Sequence, residues 1–359
     1  MNADNSTKKT LDVLSALACP IPISDYPQVL IAHGGGGKLS QQIVRKMIVP
    51  QFKNDLLEPL HDGAIFELGG ARFAFSTDSY VINPIFFPGG DIGELAVNGT
   101  VNDLAMCGAQ PMYLSAAFIV EEGFPMNDLW RVIQSMQTAA ESAGVKLVTG
   151  DTKVVDRGKG DKIFINTSGI GVVPEGVRIG SQNARAGDVI IVSGPIAVHG
   201  IAIMSVRQGL EFETQIVSDT APLNSLVSVM LETSKDVHVL RDPTRGGVAS
   251  SLNEIAESSK VGIRIDENKI PISEPVRGAC EILGLDPLYV ANEGKLLAFV
   301  SPSDANRILS AMKQHSLGTQ STIIGEVVSE HVGTVVMHTA IGGSRVVDML
   351  SGEQLPRIC

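Results

Sequence analysis

Apolar residues recur along this chain at two spacings. Leu95, Val97, Val101, Leu104 and Ala105 fall at helical intervals over 94–106, and the stretch stops at Gly108. A second amphipathic helix is predicted over 127–142, with others near 197–208, 222–235, 246–258 and 302–314. The stripe Met204, Val206, Leu210 reads as core. Short β-rich runs lie between the helices. Strands are predicted over 71–76, 112–120, 145–149 and 163–173, then over 189–193, 261–265 and 295–300, with a strand-rich end over 321–338. Strands and helices alternate in both halves, so each half is of the α/β class.

A chain of 359 residues is too long for one ordinary core. The break Pro174-Glu175-Gly176 supplies a boundary near 175. Residues 1–28 are polar and punctuated by Pro20, Pro22 and Pro27, and read as an N-terminal arm. The expected order is then a first domain over 29–175, a second over 176–345, and a mobile tail over 346–359.

Composition narrows the class. Hydrophobic residues at 44% and charged residues at 19% describe a globular protein, and a formal net charge of −11 argues against a nucleic-acid partner. No apolar run reaches the roughly 18 residues of a membrane span, and the first ten residues have no apolar signal core. Cys19, Cys107, Cys280 and Cys359 are widely spaced and form no CxxC pair, which points away from a disulfide framework and from a cysteine zinc site. A reduced, cytoplasmic setting is expected.

Several residues could carry chemistry. Asp62, Asp78 and Asp151 are expected where strands end or turns open, and Asp103 on the helix 94–106. Carboxylates at strand ends converge on the ligand crevice of α/β proteins, and a set of hard oxygen ligands suits Mg²⁺. For any one aspartate alone a turn former or cap is the favoured reading; for the set that reading is weaker. Gly34, Gly35, Gly36, Gly37 and Lys38 precede an apolar helical run; this is no Walker A loop, yet glycines allow close approach to a phosphate. A flexible loop is the plain alternative. Asp242-Pro243-Thr244-Arg245-Gly246-Gly247 leads into a helix and reads as an anion-binding nest or as an ordinary cap. Glu293, between Asn292 and Gly294, reads as a general base or as a solvated turn carboxylate. Lys153 follows Gly150-Asp151-Thr152 and could meet a phosphate. His61, His199 and His238 lack metal spacing; solvated or hydrogen-bonded roles are expected.

The chain ends on a thiol, Cys359, after Pro356, Arg357 and Ile358. A nucleophile on a terminal arm can be loaded at one protein and processed at another. Pro356 biases the preceding residue toward extended structure, and the stretch from Ser351 spans roughly 30 Å when extended. A frayed end with an incidental thiol is the bland alternative.

The run Thr77-Asp78-Ser79-Tyr80, with Asn98-Gly99-Thr100-Val101-Asn102-Asp103 and Cys107-Gly108-Ala109 after it, is similar to the superfamily of aminoimidazole ribonucleotide synthetase, selenophosphate synthetase and thiamine-monophosphate kinase. The ending Pro356-Arg357-Ile358-Cys359, the glycine loop and the 242–247 motif resemble the hydrogenase-maturation family HypE within it. The likeness runs from His33 to Cys359; the N-terminal extension departs from it.

That resemblance implies a two-domain PurM-like architecture with mixed sheets. The first domain would pair across a homodimer into a β-barrel, and ATP would lie in the cleft. It implies that a carbamoyltransferase, HypF, loads a carbamoyl group on Cys359. ATP then drives dehydration of that group to a thiocyanate through an O-phosphorylated intermediate. The cyanide passes to iron on a HypC–HypD complex for a [NiFe] hydrogenase. Asp62, Asp78, Asp103 and Asp151 would hold Mg²⁺ and phosphates, with Asn102 beside them. Gly34 to Gly37 and Lys38 would cover the nucleotide, and Asp242, Thr244 and Gly246 would face the same cleft. Glu293 would be the base, Lys153 would polarise the carbonyl, and Arg357 would seat the tail. Two other readings fit the residues: a kinase or synthetase of the superfamily acting on a small molecule, and a nucleotide-binding scaffold without turnover.

Overall fold

The computed structural model describes residues 26–210, 215–352 and 358–359. Arg357 and all but the end of the expected N-terminal arm lie outside the described residues.

The glycine loop opens helix α1 (Lys38–Ile43), which runs through a π-turn (Val44–Ile48) into a last turn, Val49–Phe52. Then come β1 (Ala64–Leu68), β2 (Ala71–Tyr80), the ribbon β3 (Phe86–Phe87) and β4 (Gly90–Asp91), α2 (Ile92–Met106), β5 (Gln110–Glu121), α3 (Met126–Ala143), β6 (Lys146–Val155) and β7 (Ile163–Val173). The first sheet has the order β1-β2-β7-β5-β6. Only β5 and β6 run parallel within it.

Helix α2 starts where the Asp91 carboxylate accepts from Gly93 N–H at 2.7 Å and from Glu94 N–H at 3.2 Å. It is buried almost throughout and packs on one face of the sheet. Gly169 of β7 lets it come close, since a Cβ there would lie 2.8 Å from Leu104 Cδ1. The other sheet face is left open. Phe75, Ile170 and Tyr113 stand opposite one another in register across β2, β7 and β5, and Phe75 and Tyr113 are exposed.

The second half contains β8 (Val189–Val192), α4 (Val198–Gln208), α5 (Asn224–Thr233), β9 (Val237–Arg241), α6 (Gly247–Ser259), β10 (Gly262–Asp266), α7 (Glu274–Leu283), β11 (Leu297–Val300), α8 (Ala305–Gln314), β12 (Thr322–Val328), β13 (Val335–His338) and β14 (Ser344–Val347). Its sheet runs β14-β13-β10-β12-β8-β11-β9, with only β10 and β13 parallel. One apolar cluster joins α2 and the first sheet to Leu226, Leu240, Leu296 and the penultimate residue Ile358; a second fills the remainder of the second half.

The class is α/β with mixed sheets, as the sequence suggests. Three local expectations change. Asp78 and Asp151 lie inside β2 and β6, because both strands run on past the aspartate. Mostly antiparallel sheets also lack the common strand-end crevice from which these residues were singled out. The stripe Met204, Val206, Leu210 is not core: Val206 is exposed, and α4 buries His199, Ile201, Ala202, Ile203 and Ser205 instead. Helix α7, which buries Val276, Ala279 and Cys280, was not anticipated.

Candidate active site

Three carboxylates from distant parts of the chain meet. Asp62 stands in the turn before β1, Asp103 on α2, and Asp242 just after β9, and each offers an oxygen within 4.8 Å of the others. Ser76, on the helix side of β2, lies with its Oγ 2.7 Å from Asp103 Oδ2 and 2.7 Å from the Asp62 carbonyl oxygen, with one hydroxyl proton to give between them. Arg241 closes the cluster, with Nη1 2.7 Å from Asp62 Oδ1 and Nη2 2.7 Å from Glu254 Oε2. Asp62 Oδ2 is buried without a hydrogen-bond partner.

The electrostatics match this crowding. Burial, then the neighbouring Asp62, pushes the Asp242 carboxyl up to about 7, against the pull of Arg241. Burial and then Asp242, Asp62 and Asp78 push Asp103 well above the usual carboxylate range. A site that raises several carboxyls together favours protons or a cation over free anions.

The terminal thiol lies in the adjoining cleft. Ile358 is buried, its carbonyl 2.8 Å from His199 Nε2, and the Cys359 main-chain oxygen accepts from Val81 N–H at 3.0 Å. Burial pushes the Cys359 thiol up; Arg245 draws it back down, and Glu293, also hydrogen-bonded to the sulfur, and Asp78 push it further up. Cys359 is in turn the strongest influence holding Arg245 charged, followed by Asp78 and Glu293. Arg245 Nη2 lies 3.8 Å from Asp78 Oδ1.

Glu293 is fully enclosed, and its Oε1 has no hydrogen-bond partner. Burial, then Asp242, Asp219 and Asp78, pushes its carboxyl well up, while Arg245 pulls it down. Its backbone N–H donates to Asp219 Oδ1 at 3.2 Å, and Asp219 Oδ2 lies 3.2 Å from Lys295 Nζ. Gly294 is required where the chain presses on the Asp219 carbonyl, because any Cβ there would overlap it.

The glycine loop meets the 242–247 motif. A Cβ at Gly36 would sit 2.6 Å from the Arg245 carbonyl oxygen, and one at Gly37 would overlap the Leu350 carbonyl; Gly34 faces open space. A Cβ at Gly35 would meet only the Ala32 carbonyl oxygen, at 3.6 Å. Lys38 is exposed, its N–H donating to Leu350 O at 3.0 Å. Gly246 adopts φ +80° at the start of α6, where no side chain caps the helix, so neither Asp242 nor Thr244 is its cap. Asn102 is buried and its amide is used within the protein: it donates to Ala221 O and Glu293 O and accepts from Leu223 N–H.

Asp151 and Lys153 stand apart. Register places Asp151 opposite Ala117 and Lys153 opposite Ile119, on the open face of the sheet, while Ser76 and Asp78 face α2. Lys153 Nζ lies 2.5 Å from Asp151 Oδ2, and this bond holds the Asp151 carboxyl below its usual range. Within one chain the structure therefore gathers Asp62, Asp103 and Asp242, with Asp78 beside them, and does not bring Asp151 to that group.

Sequence reasoning missed Arg241, which carried a signal, since it directly precedes Asp242 and ends an apolar strand. His199 is hydrogen-bonded, one of the roles expected for it, but nothing in the sequence pointed to its partner, the last peptide of the chain.

Residues 60–173 match the N-terminal domain model of AIR synthase related proteins, and 185–338 match the C-terminal one. A protein of Cupriavidus necator named carbamoyl dehydratase HypE is 54% identical over 92% of this chain and 94% of its own. The chain belongs to the HypE family. A HypE solved in complex with ATP superposes with a TM-score of 0.78 at 49% identity, over 92% of this chain and 100% of that one. The HypE–HypF complex gives a TM-score of 0.82 at 48% identity, over 86% and 99%. Among the described residues no helix is long and apolar enough to cross a membrane.

Proposed function

We propose that this protein uses ATP to dehydrate a carbamoyl group carried on Cys359, leaving a thiocyanate on the same sulfur. The observation that carries the reading is the docked terminus: the chain brings its own last thiol against Glu293 and Arg245, beside the carboxylate cluster. A relative named carbamoyl dehydratase HypE, and HypE structures solved with ATP and with HypF, support it.

Hydroxide leaves an amide carbon poorly. Transfer of the γ-phosphoryl group to the carbamoyl oxygen makes phosphate the leaving group. Thiocarbamate and ATP then become thiocyanate, ADP and phosphate, and the nitrogen gives up both of its protons. Glu293 would take one. Its buried, acid-crowded setting makes its carboxylate a stronger base than a solvated one, and Arg245 keeps the ionised form accessible. Arg245 also faces the sulfur and holds the tail end against the site.

Asp62, Asp103 and Asp242 fit Mg²⁺, on the unpartnered Asp62 oxygen and the hard oxygen donor set. Bound there, the ion would neutralise triphosphate charge. The glycine loop and the 242–247 backbone would border the phosphates.

The open sheet face is read as the seat of a second protomer, through which Lys153 reaches a carbamoylated tail. HypF would load the thiol, and a HypC–HypD complex would take the cyanide for the iron of a [NiFe] hydrogenase. A reducing cytoplasm suits a carrier that must begin as a thiol.

Intact mass tests the reading. Incubation with HypF and its substrates should add one carbamoyl group, and Mg–ATP should then remove one water, both changes mapping to the C-terminal peptide. A Cys359→Ser protein that still delivers cyanide would overturn it.

A further inference from the structure

We propose that His199 is a positioning residue that latches the C-terminal tail in the cleft by its last peptide carbonyl. The inference rests on Cys359 being the carrier and adds the device that brings it to the base.

His199 is buried at the start of α4, its ring edge-to-face with Phe87 at 5.6 Å between centroids. Nε2 lies 2.8 Å from the Ile358 carbonyl oxygen and Nδ1 lies 2.8 Å from Ser218 Oγ. A carbonyl only accepts, so Nε2 carries the proton, and Nδ1 accepts from the Ser218 hydroxyl. Ser218 Oγ in turn accepts from Thr220 N–H at 3.2 Å. The hydrogen bonds thus run one way, from Thr220 through Ser218 and the imidazole to the tail, and fix the tautomer. Burial holds the imidazole below its usual pKa, which keeps it neutral in this chain.

Two features make this a latch for a loaded carrier. Unlike the Glu293 hydrogen bond to the sulfur, the hydrogen bonds from His199 and from Val81 N–H to the last two residues are both to main-chain oxygens. They do not depend on whether the sulfur bears hydrogen, carbamoyl or cyanide. The buried Ile358 side chain adds an apolar seat that is equally blind to the load. The same short loop also serves the base: Ser218 orients His199, and the next residue, Asp219, accepts from Glu293 N–H. Tail docking and base placement therefore share one support.

The test uses the full chain and N-ethylmaleimide, with labelling of Cys359 followed on the C-terminal peptide. His199→Leu should raise that labelling rate about fivefold to tenfold, the worth of one hydrogen bond to a polar group. Single-turnover dehydration, which follows the docked fraction, should slow by a smaller factor, while loading by HypF is not slowed. His199→Gln, which keeps an N–H near the Nε2 position, should restore much of both. Ser218→Ala should shift both in the same direction as His199→Leu and by less, and together with His199→Gln it decides the matter if His199→Leu does not fold. Unchanged labelling in these variants, or loading and dehydration falling together, would overturn the latch. If labelling rises but the wild-type protein never dehydrates its tail, the latch stands and the carrier reading fails.

Discussion

Arg241 Nη1 lies 2.7 Å from Asp62 Oδ1, an ion pair between the end of a second-domain strand and a turn that precedes the first strand. Burial opposes charge on Arg241, yet Asp62 and Glu254 outweigh it and hold the guanidinium ionised. This one side chain ties the two halves together at the carboxylate cluster. Arg241→Met leaves Asp62 and Glu254 without their cation. The expected loss is about 3 kcal/mol of unfolding free energy, the usual scale for breaking a largely buried pair, read by denaturant titration. A loss under about 0.5 kcal/mol would place Arg241 among ordinary surface ions.

The raised Asp242 carboxyl predicts how the ligand-free protein responds to pH. Its folded pKa of about 7 lies above the unfolded value near 3.8, so between these the unfolded chain is ionised while the folded one keeps its proton. The folded state binds more protons, and stability falls as pH rises through that window, by at most about 1.4 kcal/mol per unit. Below it the group has no effect, and above it the penalty is constant. A divalent cation must displace the proton, so Mg²⁺ should raise the melting temperature more at pH 8 than at pH 6. Asp242→Asn should flatten the pH slope and weaken that Mg²⁺ response together. A Mg²⁺ shift equal at both pH values would count against the cluster as its site.

Glu293 offers a prediction separable from folding. Glu293→Gln preserves shape and removes the base, so dehydration of a preloaded tail should fall by about 10²- to 10⁴-fold. Because burial and three aspartates hold this carboxyl above its ordinary range, the wild-type rate should climb with pH until Glu293 ionises and then level off. The variant should lose that climb. Single-turnover mass spectrometry between pH 6 and pH 9 reads both. An unchanged pH limb in Glu293→Gln would assign the base elsewhere.

The elements that sequence reading located best are those with a clear period. β7 alternates buried and half-buried residues throughout and matches its expected bounds, and α2 is bounded by Asp91 and Gly108. β6 was cut short because Gly150, Asp151, Thr152 and Lys153 read as a turn. On an open sheet face polar residues continue a strand without cost, and Gly150 is needed there because a Cβ would press on the Ala116 carbonyl. The candidate site was legible in part. Asp62, Asp103, Asp242, Glu293 and Cys359 could each be singled out, from a turn, a helix, a glycine-rich motif or the chain end. Their grouping could not, because Asp103 and Asp242 are 139 positions apart in the chain and meet only through packing of α2 under the second domain. For the same reason Asp151 looked equivalent to Asp78, whereas the alternation of side chains in a strand puts them on opposite faces.

That opposition gives the last prediction. Phe75, Tyr113 and Ile119 are exposed on the open face of the first sheet and Val148 on its β6 edge, more apolar surface than a solvated sheet face needs. Covered by a second copy, this surface would bring one protomer's Lys153 toward the other. Ile119→Asp should then convert the protein to a monomer in sedimentation velocity, with its far-UV spectrum unchanged. Lys153→Ala, which breaks only an exposed pair, should cost under about 0.5 kcal/mol of stability and yet slow dehydration. Mixing Lys153→Ala with Cys359→Ser protein locates the action. If Lys153 works across the dimer, heterodimers that join an intact Lys153 on one chain to an intact Cys359 on the other regain turnover. If the mixture is as inactive as its parents while subunits demonstrably exchange, Lys153 acts within its own chain and the open face serves assembly alone.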